Sequence, residues 1–331
     1  MTPKYYIFGT NHLTPLSPYS DKTIDKFFRG YGLESLNTFV GAEIIIAVDP
    51  KDDQLNFIKS GNFPKSVLKV LIIQEPKVVR PEIVSSKFCS IFDLTILIGR
   101  YESELGYTFN WPQFASKLVD EKEPSKRIAS KSIMICSNKL SLIHGELYTF
   151  RRRLAFRLVQ KVDVLGHAWN ISFMKRVKIF FGTLAICLTA KKFPWPLSAR
   201  YWFLSVAKSS IEVSDKRRIL SNYRTSIVIE NSVEVFTEKL FDAFFARVIP
   251  IYIGPDFSSY GIPSNLVIRA RPNLASISSA LKEASLLDYG FWRDELEKWL
   301  ELESTKQSWD PDKIFRSICK LITKSHLDRN S

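Results

Sequence analysis

Short runs of β-branched and apolar residues recur through the first third of the chain, at Tyr5 to Phe8, Glu43 to Val48, Leu68 to Ile73 and Leu94 to Ile98. Each is closed by polar, Gly or Pro residues, and runs of this length without polar alternation predict strands covered on both faces, as in parallel sheets. A second series starts at Ser132 to Cys136 and continues through Val162 to Leu165, Ser226 to Glu230, Val248 to Ile253 and Leu266 to Ile268. Helical spacing appears between strands, notably over Leu147 to Val159 and Glu238 to Phe245. Strands that alternate with helices in both halves predict an α/β fold of two doubly wound, Rossmann-like domains. From Leu274 to Lys324 only helical spacing remains, as at Leu281, Ala284 and Leu287 and again at Ile314, Ile318 and Leu321. Residues 119–131 have no hydrophobic period and carry Glu121, Lys122, Glu123, Pro124 and Ser125 in succession, which is linker composition. The expected division is an N-terminal domain over 1–122, a second domain over 123–300 and a C-terminal helical segment over 301–331.

Composition adds a bias of charge. The chain has 331 residues, is 45% hydrophobic and carries a formal charge of +13, so it can bury sizeable cores and attracts phosphate-bearing partners. From Arg151 to Leu220 fifteen basic residues face only Asp163, Glu212 and Asp215, so about +12 of the charge lies in about a fifth of the chain. That segment has neither a zinc-finger spacing nor an RNA-binding aromatic motif, and nucleic acid is not expected as a partner. Within 173–208, Lys175, Arg176 and Lys178 precede the twelve-residue apolar run Ile179 to Ala190, and Lys191, Lys192, Trp195, Arg200, Tyr201 and Trp202 follow it. The run falls short of the roughly 20 residues needed to span a bilayer, but cations flanking amphipathic rings suit an anionic membrane surface. Met1 to Thr10 lacks a basic start and an apolar core, so the expected location is cytoplasmic, with peripheral attachment at the inner face of the membrane.

Metal and redox chemistry find little support in the sequence. Cys89, Cys136, Cys187 and Cys319 form no C-x-x-C pair, and His12, His144, His167 and His326 have no metal-ligand spacing. Asp310-Pro311-Asp312 stands directly before a helical run, where Asp beside Pro is an ordinary helix start. Gly-rich phosphate loops are absent.

The clearest unit is Ser226 to Gly254: a strand, the polar turn Glu230-Asn231-Ser232, a helix opening at Thr237, and a second strand closed by Gly254 and Pro255. In open α/β sheets ligands bind beyond the carboxyl ends of strands, where Glu230, Asn231 and Ser232 are expected to project. Thr237 is the expected N-cap, with Glu238 and Lys239 in the first helical turn. Lys239 offers a point charge to a diphosphate and Glu238 an acceptor for ribose hydroxyls. A first-turn lysine contributes little packing, so its removal is expected to spare the fold.

The ordered run Tyr223-Arg224, Ile229-Glu230-Asn231-Ser232, Thr237-Glu238-Lys239-Leu240, Ala243, Val248-Ile249-Pro250-Ile251 and Gly254-Pro255 resembles the donor-binding motif of the α1,3/α1,4-fucosyltransferases. Thinner similarity to the family covers about residues 70–270, with Lys139 to Arg153 resembling a helix of its bacterial members. The sequence departs from the motif at Val235, where most members carry Tyr, and after Val162 to Leu165, where Trp169 and Asn170 stand near the place of a basic residue.

The resemblance implies a GT-B-like architecture of two domains across a cleft, with GDP-fucose in the C-terminal domain and a glycan acceptor, lipid-linked if the membrane reading holds, in the N-terminal one. It implies inverting fucosyl transfer without cofactor or required metal. Tyr223, Arg224, Glu230, Asn231, Ser232, Thr237, Glu238 and Lys239 become the donor-binding set. Glu102, in Asp93 to Leu105, becomes the general base. The same fold with another nucleotide-sugar donor is the alternative enzyme, and a basic membrane- or nucleic-acid-binding protein is the non-enzyme alternative.

Overall fold

The computed structural model describes residues 2–8, 20–60, 63–99, 103–113, 127, 130–139, 141, 143–158, 160–169 and 216–330, with isolated positions at 174, 177 and 181. The segment 173–208 proposed for membrane contact therefore falls, apart from those three positions, outside the described residues, and so does Glu102.

The first half supplies β1 (Lys4–Phe8), α1 (Asp21–Gly30), β2 (Glu34–Ser35), β3 (Ile44–Val48), α2 (Asp52–Ser60), β4 (Leu68–Ile73), α3 (Ser86–Cys89), β5 (Leu94–Ile98) and β6 (Tyr107–Phe109). They form a parallel sheet in the order β2-β1-β3-β4-β5-β6. The second half supplies β7 (Ser132–Ile135), α4 (Tyr148–Arg157), β8 (Val162–Leu165), α5 (Lys216–Leu220), β9 (Thr225–Ile229), α6 (Lys239–Phe245), β10 (Ile249–Ile253) and β11 (Ile268–Arg269). Its sheet, also parallel, runs β11-β10-β9-β7-β8. Every residue of β3, β5, β9 and β10 is buried, which is why these strands read as unbroken apolar runs. The two strands without such a run, β2 and β6, are short edges.

In the second sheet the first strand, β7, lies between the second, β8, and the third, β9, so the strand order reverses between β7 and β9. The first sheet reverses in the same way between β1 and β3. Crevices for ligands open at such points, beyond the carboxyl ends of the strands. At the tip of β8, Gly166 (φ 131°) lies so close to β7 that an added Cβ would collide with the Cys136 carbonyl.

Four further helices follow: α7 (Leu274–Leu286), α8 (Tyr289–Glu301), α9 (Glu303–Gln307) and α10 (Pro311–Asn330). Asp310 does start a helix, its Oδ1 accepting from the Asp312 amide at 2.8 Å. Helix α10 returns to the first sheet: Phe315 stacks on Phe27 of α1 with ring centroids 4.9 Å apart, and Arg329 pairs with Asp93 at 2.7 Å. The two sheets also meet directly. Gly99 (φ 79°), after β5, accepts from the Phe236 amide at 2.8 Å, and a Cβ there would strike the Phe236 carbonyl and the Trp111 ring. Ser141 Oγ donates to the Val78 carbonyl at 2.7 Å, tying the loop after β7 to the loop after β4.

Candidate functional site

A cavity of about 540 Å³ opens at the reversal between β7 and β9, within the roughly 300–1,000 Å³ usual for small-molecule sites. Among the described residues its wall carries Lys139 after β7, Arg151 on α4, Lys216 on α5 and Lys239 on α6, against the carboxylates Glu238 and Asp242. Four fixed cations against two carboxylates leave the wall a net positive charge, suited to a diphosphate.

The β9 tip divides its side chains between wall and core. Asn231 lines the cavity, its Oδ1 accepting from Arg151 Nη2 at 3.0 Å. Glu230 turns inward and is fully buried. Its Oε1 accepts from the Thr237 amide at 3.0 Å, and its Oε2 accepts from Thr237 Oγ1 at 2.7 Å and Lys239 Nζ at 2.9 Å. Ser232 is buried too, its Oγ accepting from the Glu234 amide and its backbone bridging to Glu146. Of the turn expected to project, the structure therefore sends only Asn231 into the cavity.

The helix after the turn also differs from expectation. It begins at Lys239 with Glu238 at its cap and no side-chain capping bond. The Thr237 hydroxyl is committed to the buried Glu230 carboxylate, which it shares with the Thr237 amide and Lys239. Glu238 and Lys239 nonetheless line the cavity. Tyr223 and Arg224 lie outside its wall: the Tyr223 hydroxyl donates to Asp163 at 3.0 Å, and the Arg224 guanidinium donates to the Leu287 carbonyl and lies over the Tyr289 ring. They brace the sheet from the side.

Electrostatics in the wall follow from this crowding. Burial alone would raise the Glu238 carboxyl, but the charges of Lys239 and Lys216 outweigh it and hold the group below the usual carboxylate range. Lys216 Nζ stands 3.6 Å from Glu238 and 3.9 Å from Asp242. Burial works against its charge, yet those two carboxylates raise its pKa. Asp242 is pushed up by burial and by the charge of Glu238.

Sequence reasoning missed Lys139, Arg151 and Lys216. Arg151 had a signal: it stands at an apolar phase of α4, whose buried residues include Tyr148, Leu154 and Ala155, and is itself only 2% exposed. Its guanidinium donates to the Ile229 carbonyl as well as to Asn231, and lies over the Tyr148 ring at 5.0 Å. The position after β8, near which a basic residue was sought, holds Trp169, which is buried and donates from Nε1 to the Cys136 carbonyl at 2.6 Å. Positive charge enters the cavity from α4, α5 and α6 and from the β7 loop instead.

Glu75 lies just beyond β4 of the first sheet. Burial raises its carboxyl pKa, and the charges of Lys139 and Lys239 act on it in the opposite sense, so it lies within their electrostatic reach. Beside it Asp49, beyond β3, is pushed up to about 7 by burial and by the charge of Glu75. Among the described residues no group of three or more His, Cys, Asp and Glu is placed to hold a metal ion, and no helix is long and apolar enough to cross a membrane.

No protein-family model matches the chain, and no curated protein matches it. Solved structures do. A crystal structure of an alpha1,3-fucosyltransferase matches with a TM-score of 0.56 at 14% identity, over 99% of this chain and 91% of that one. An alpha-glucosyltransferase in complex with UDP-glucose and DNA containing an abasic site matches with a TM-score of 0.52 at 12% identity, over 97% and 98%. The chain has a GT-B-like fold of two Rossmann-like domains with C-terminal helices. At these identities the likeness is one of fold and fixes no donor.

The second match corrects the exclusion of nucleic acid drawn from the sequence. A protein of this fold is held there with DNA, so the lack of a zinc-finger or RNA-binding motif excludes nothing. The physical reason is that phosphate is bound by any suitably shaped basic surface, and a fold can supply one without a sequence motif.

Proposed function

We propose that the protein is a nucleotide-sugar glycosyltransferase whose cavity between β7 and β9 binds the donor's nucleoside diphosphate. The observation that carries this reading is the convergence of Lys139, Arg151, Lys216 and Lys239 on the reversal point of the second sheet, with the carboxyl of Glu75 within the electrostatic reach of two of them. Glycosyl transfer needs this pair of features. The bond from the anomeric carbon to the diphosphate oxygen breaks as negative charge gathers on the leaving group, which fixed cations stabilise. The acceptor hydroxyl must lose its proton as it attacks, and a carboxylate with a raised pKa is a better base for that than an ordinary one. Glu75 is the base in this reading, and Glu102 is the base implied by the sequence resemblance. Glu238, ionised by its lysine neighbours, accepts from ribose hydroxyls.

The donor class rests on separate grounds. The motif over residues 223–255 supports GDP-fucose and an inverting transfer to a glycan hydroxyl. The matched fold of a UDP-glucose-bound alpha-glucosyltransferase supports a different nucleotide sugar equally well, so the reading is held at the level of a nucleotide-sugar donor.

Thermal unfolding with GDP, UDP and ADP tests the pocket. A nucleotide at about 100 times its Kd adds about 2.7 kcal/mol to apparent stability, so the preferred base stands out. A screen of nucleotide sugars for released nucleoside diphosphate then identifies the donor. No stabilisation by any nucleoside diphosphate, together with no release from any donor, would overturn the reading.

A further inference from the structure

A second cavity, of about 510 Å³, opens at the far end of the first sheet. Its wall includes Glu43, just before β3, and Val67, just before β4, so it lies at the amino ends of these strands, away from the crevice at their carboxyl tips. Strands of five and six residues set the two ends roughly 17–20 Å apart. An occupant there lies beyond reach of the transfer reaction.

The turn between β2 and β3 builds one side. The Ala42 amide donates to the Phe39 carbonyl at 3.2 Å and Gly41 takes φ 81°, which leaves Phe39 and Val40 at the tip, 41% and 72% exposed. Phe39, Phe57 of α2 and Phe63 all line the cavity, with ring centroids 4.8–6.3 Å apart and interplanar angles of 63–85°. Aromatic rings prefer this edge-to-face order, yet water still reaches Phe39, and covering such apolar surface is favourable.

Helix α10 supplies the polar side. His326 is only 7% exposed and lines the cavity beside Asn330. Asn330 Nδ2 donates to the His326 carbonyl at 3.0 Å and stands 3.4 Å from ring Nδ1 and 3.3 Å from Nε2. A donor almost equidistant from both nitrogens lies off the axis of each, so among the described residues neither has an aligned partner. A buried polar group in that state costs stability until something completes its bonds. Glu43 is the only charged residue among those described in this wall, and its Oε2 accepts from the Lys4 amide at 2.8 Å.

We propose that this cavity binds a neutral aromatic molecule bearing a hydroxyl group, whose ring packs on the three phenylalanines and whose hydroxyl bonds to the His326 imidazole. Small-molecule sites are mostly apolar with a few placed polar groups, and the volume falls within their usual range of about 300–1,000 Å³. The Glu43 carboxylate, with no described cation beside it in the wall, selects against anions. The first cavity, with its four cations, has the opposite preference. The site is independent of the transferase reading.

Titration of the full chain with 2-naphthol and with the anionic 2-naphthoate, near neutral pH, tests the proposal. Histidine-ring NMR signals report the contact, since the sequence holds only four histidines. The expected result is that 2-naphthol shifts the His326 ring signals saturably and binds about tenfold or more tightly than 2-naphthoate. His326→Phe keeps a ring and removes its nitrogens, and is expected to weaken 2-naphthol by about fivefold to tenfold. An unchanged affinity would mean an apolar hole without recognition, and the proposal would fall.

Ser66→Trp, at an exposed position on the rim, is expected to fill the cavity and abolish 2-naphthol binding. If His326→Phe does not fold, this variant and the wild-type ring shifts carry the test. No binding, equal binding of the two probes, or binding that survives Ser66→Trp overturns the proposal. A dimer in analytical ultracentrifugation that Ser66→Trp dissociates does so too, since the groove is then an interface between copies. Nucleotide titrations of Ser66→Trp should match those of the wild type, so failure at one cavity is distinguishable from failure at the other.

Discussion

The ammonium group of Lys239 donates to the fully buried carboxylate of Glu230 at 2.9 Å and to the Thr237 hydroxyl at 2.7 Å, so a cation in the wall of the cavity also neutralises an acid in the core. The sequence presents Lys239 as a dispensable surface lysine, but its side chain is only 19% exposed. Lys239→Ala is expected to weaken nucleotide binding and also to destabilise the fold by about 1–3 kcal/mol, because Glu230 keeps its two Thr237 bonds but loses its counter-charge. Adding Glu230→Gln should restore much of the stability and none of the affinity. Denaturant melts and nucleotide titrations of the single and double variants check both halves.

Arg151 couples the donor cavity to the β9 tip. Arg151→Ala strands the Ile229 carbonyl and the Asn231 amide oxygen, and a loss of about 1–3 kcal/mol is expected from the unpaired buried groups. Arg151→Lys keeps the charge but not the planar fork, so it should recover nucleotide affinity better than it recovers stability. Isothermal titration beside thermal melts separates these effects.

Two acids compete for the role of base. Glu75→Gln is expected to reduce kcat by about 10²-fold or more with near-normal donor affinity, as for a group acting mainly in the transition state. If Glu102 is the base, Glu102→Gln shows that pattern and Glu75→Gln does not. Single-turnover rates with saturating donor distinguish the two.

Asp49 predicts a pH dependence of stability whose sign is fixed by its shift. Its folded pKa of about 7 lies above the ordinary value of 3.8, so folding favours the protonated acid. The contribution is fully present below about pH 4 and is lost as pH rises through 7, at up to about 1.4 kcal/mol per pH unit. Glu75 and Asp242 are raised as well and act in the same direction, whereas Glu238 is lowered and acts in the other. The effect is therefore read as the difference between the wild type and Asp49→Asn. Their stabilities should converge toward acid pH and separate toward pH 8, with the variant the more stable, as measured by urea unfolding.

The strand pattern was legible because a strand buried on both faces writes itself as a local apolar run. Leu68–Ile73, Leu94–Ile98 and Val162–Leu165 have the bounds that the runs predict, and the other predicted strands differ by one or two residues at their ends. Glu34–Ser35 and Tyr107–Phe109 were not legible, since edge strands need no such run. The βαβ unit ending at Gly254 was visible for the same local reason, and with it Asn231, Glu238 and Lys239 in the cavity wall.

Other features depend on where distant segments meet, and spacing along one chain does not encode that. Glu230 and Asn231 are adjacent in sequence, yet one is sealed beneath Thr237 and the other opens on the cavity, because successive side chains leave a strand end in opposite directions. Lys139, Arg151 and Lys216 come together only when a loop and two helices pack around the reversal between β7 and β9. Glu75 comes within reach of the charges of Lys139 and Lys239 only when the first sheet is set against the second, and Asp49 meets Glu75 only because β3 and β4 pair in register. Local hydrophobic patterning determined the strands and layers of this protein; the long-range packing of charged groups, whose energies depend on distance and burial, decided its site.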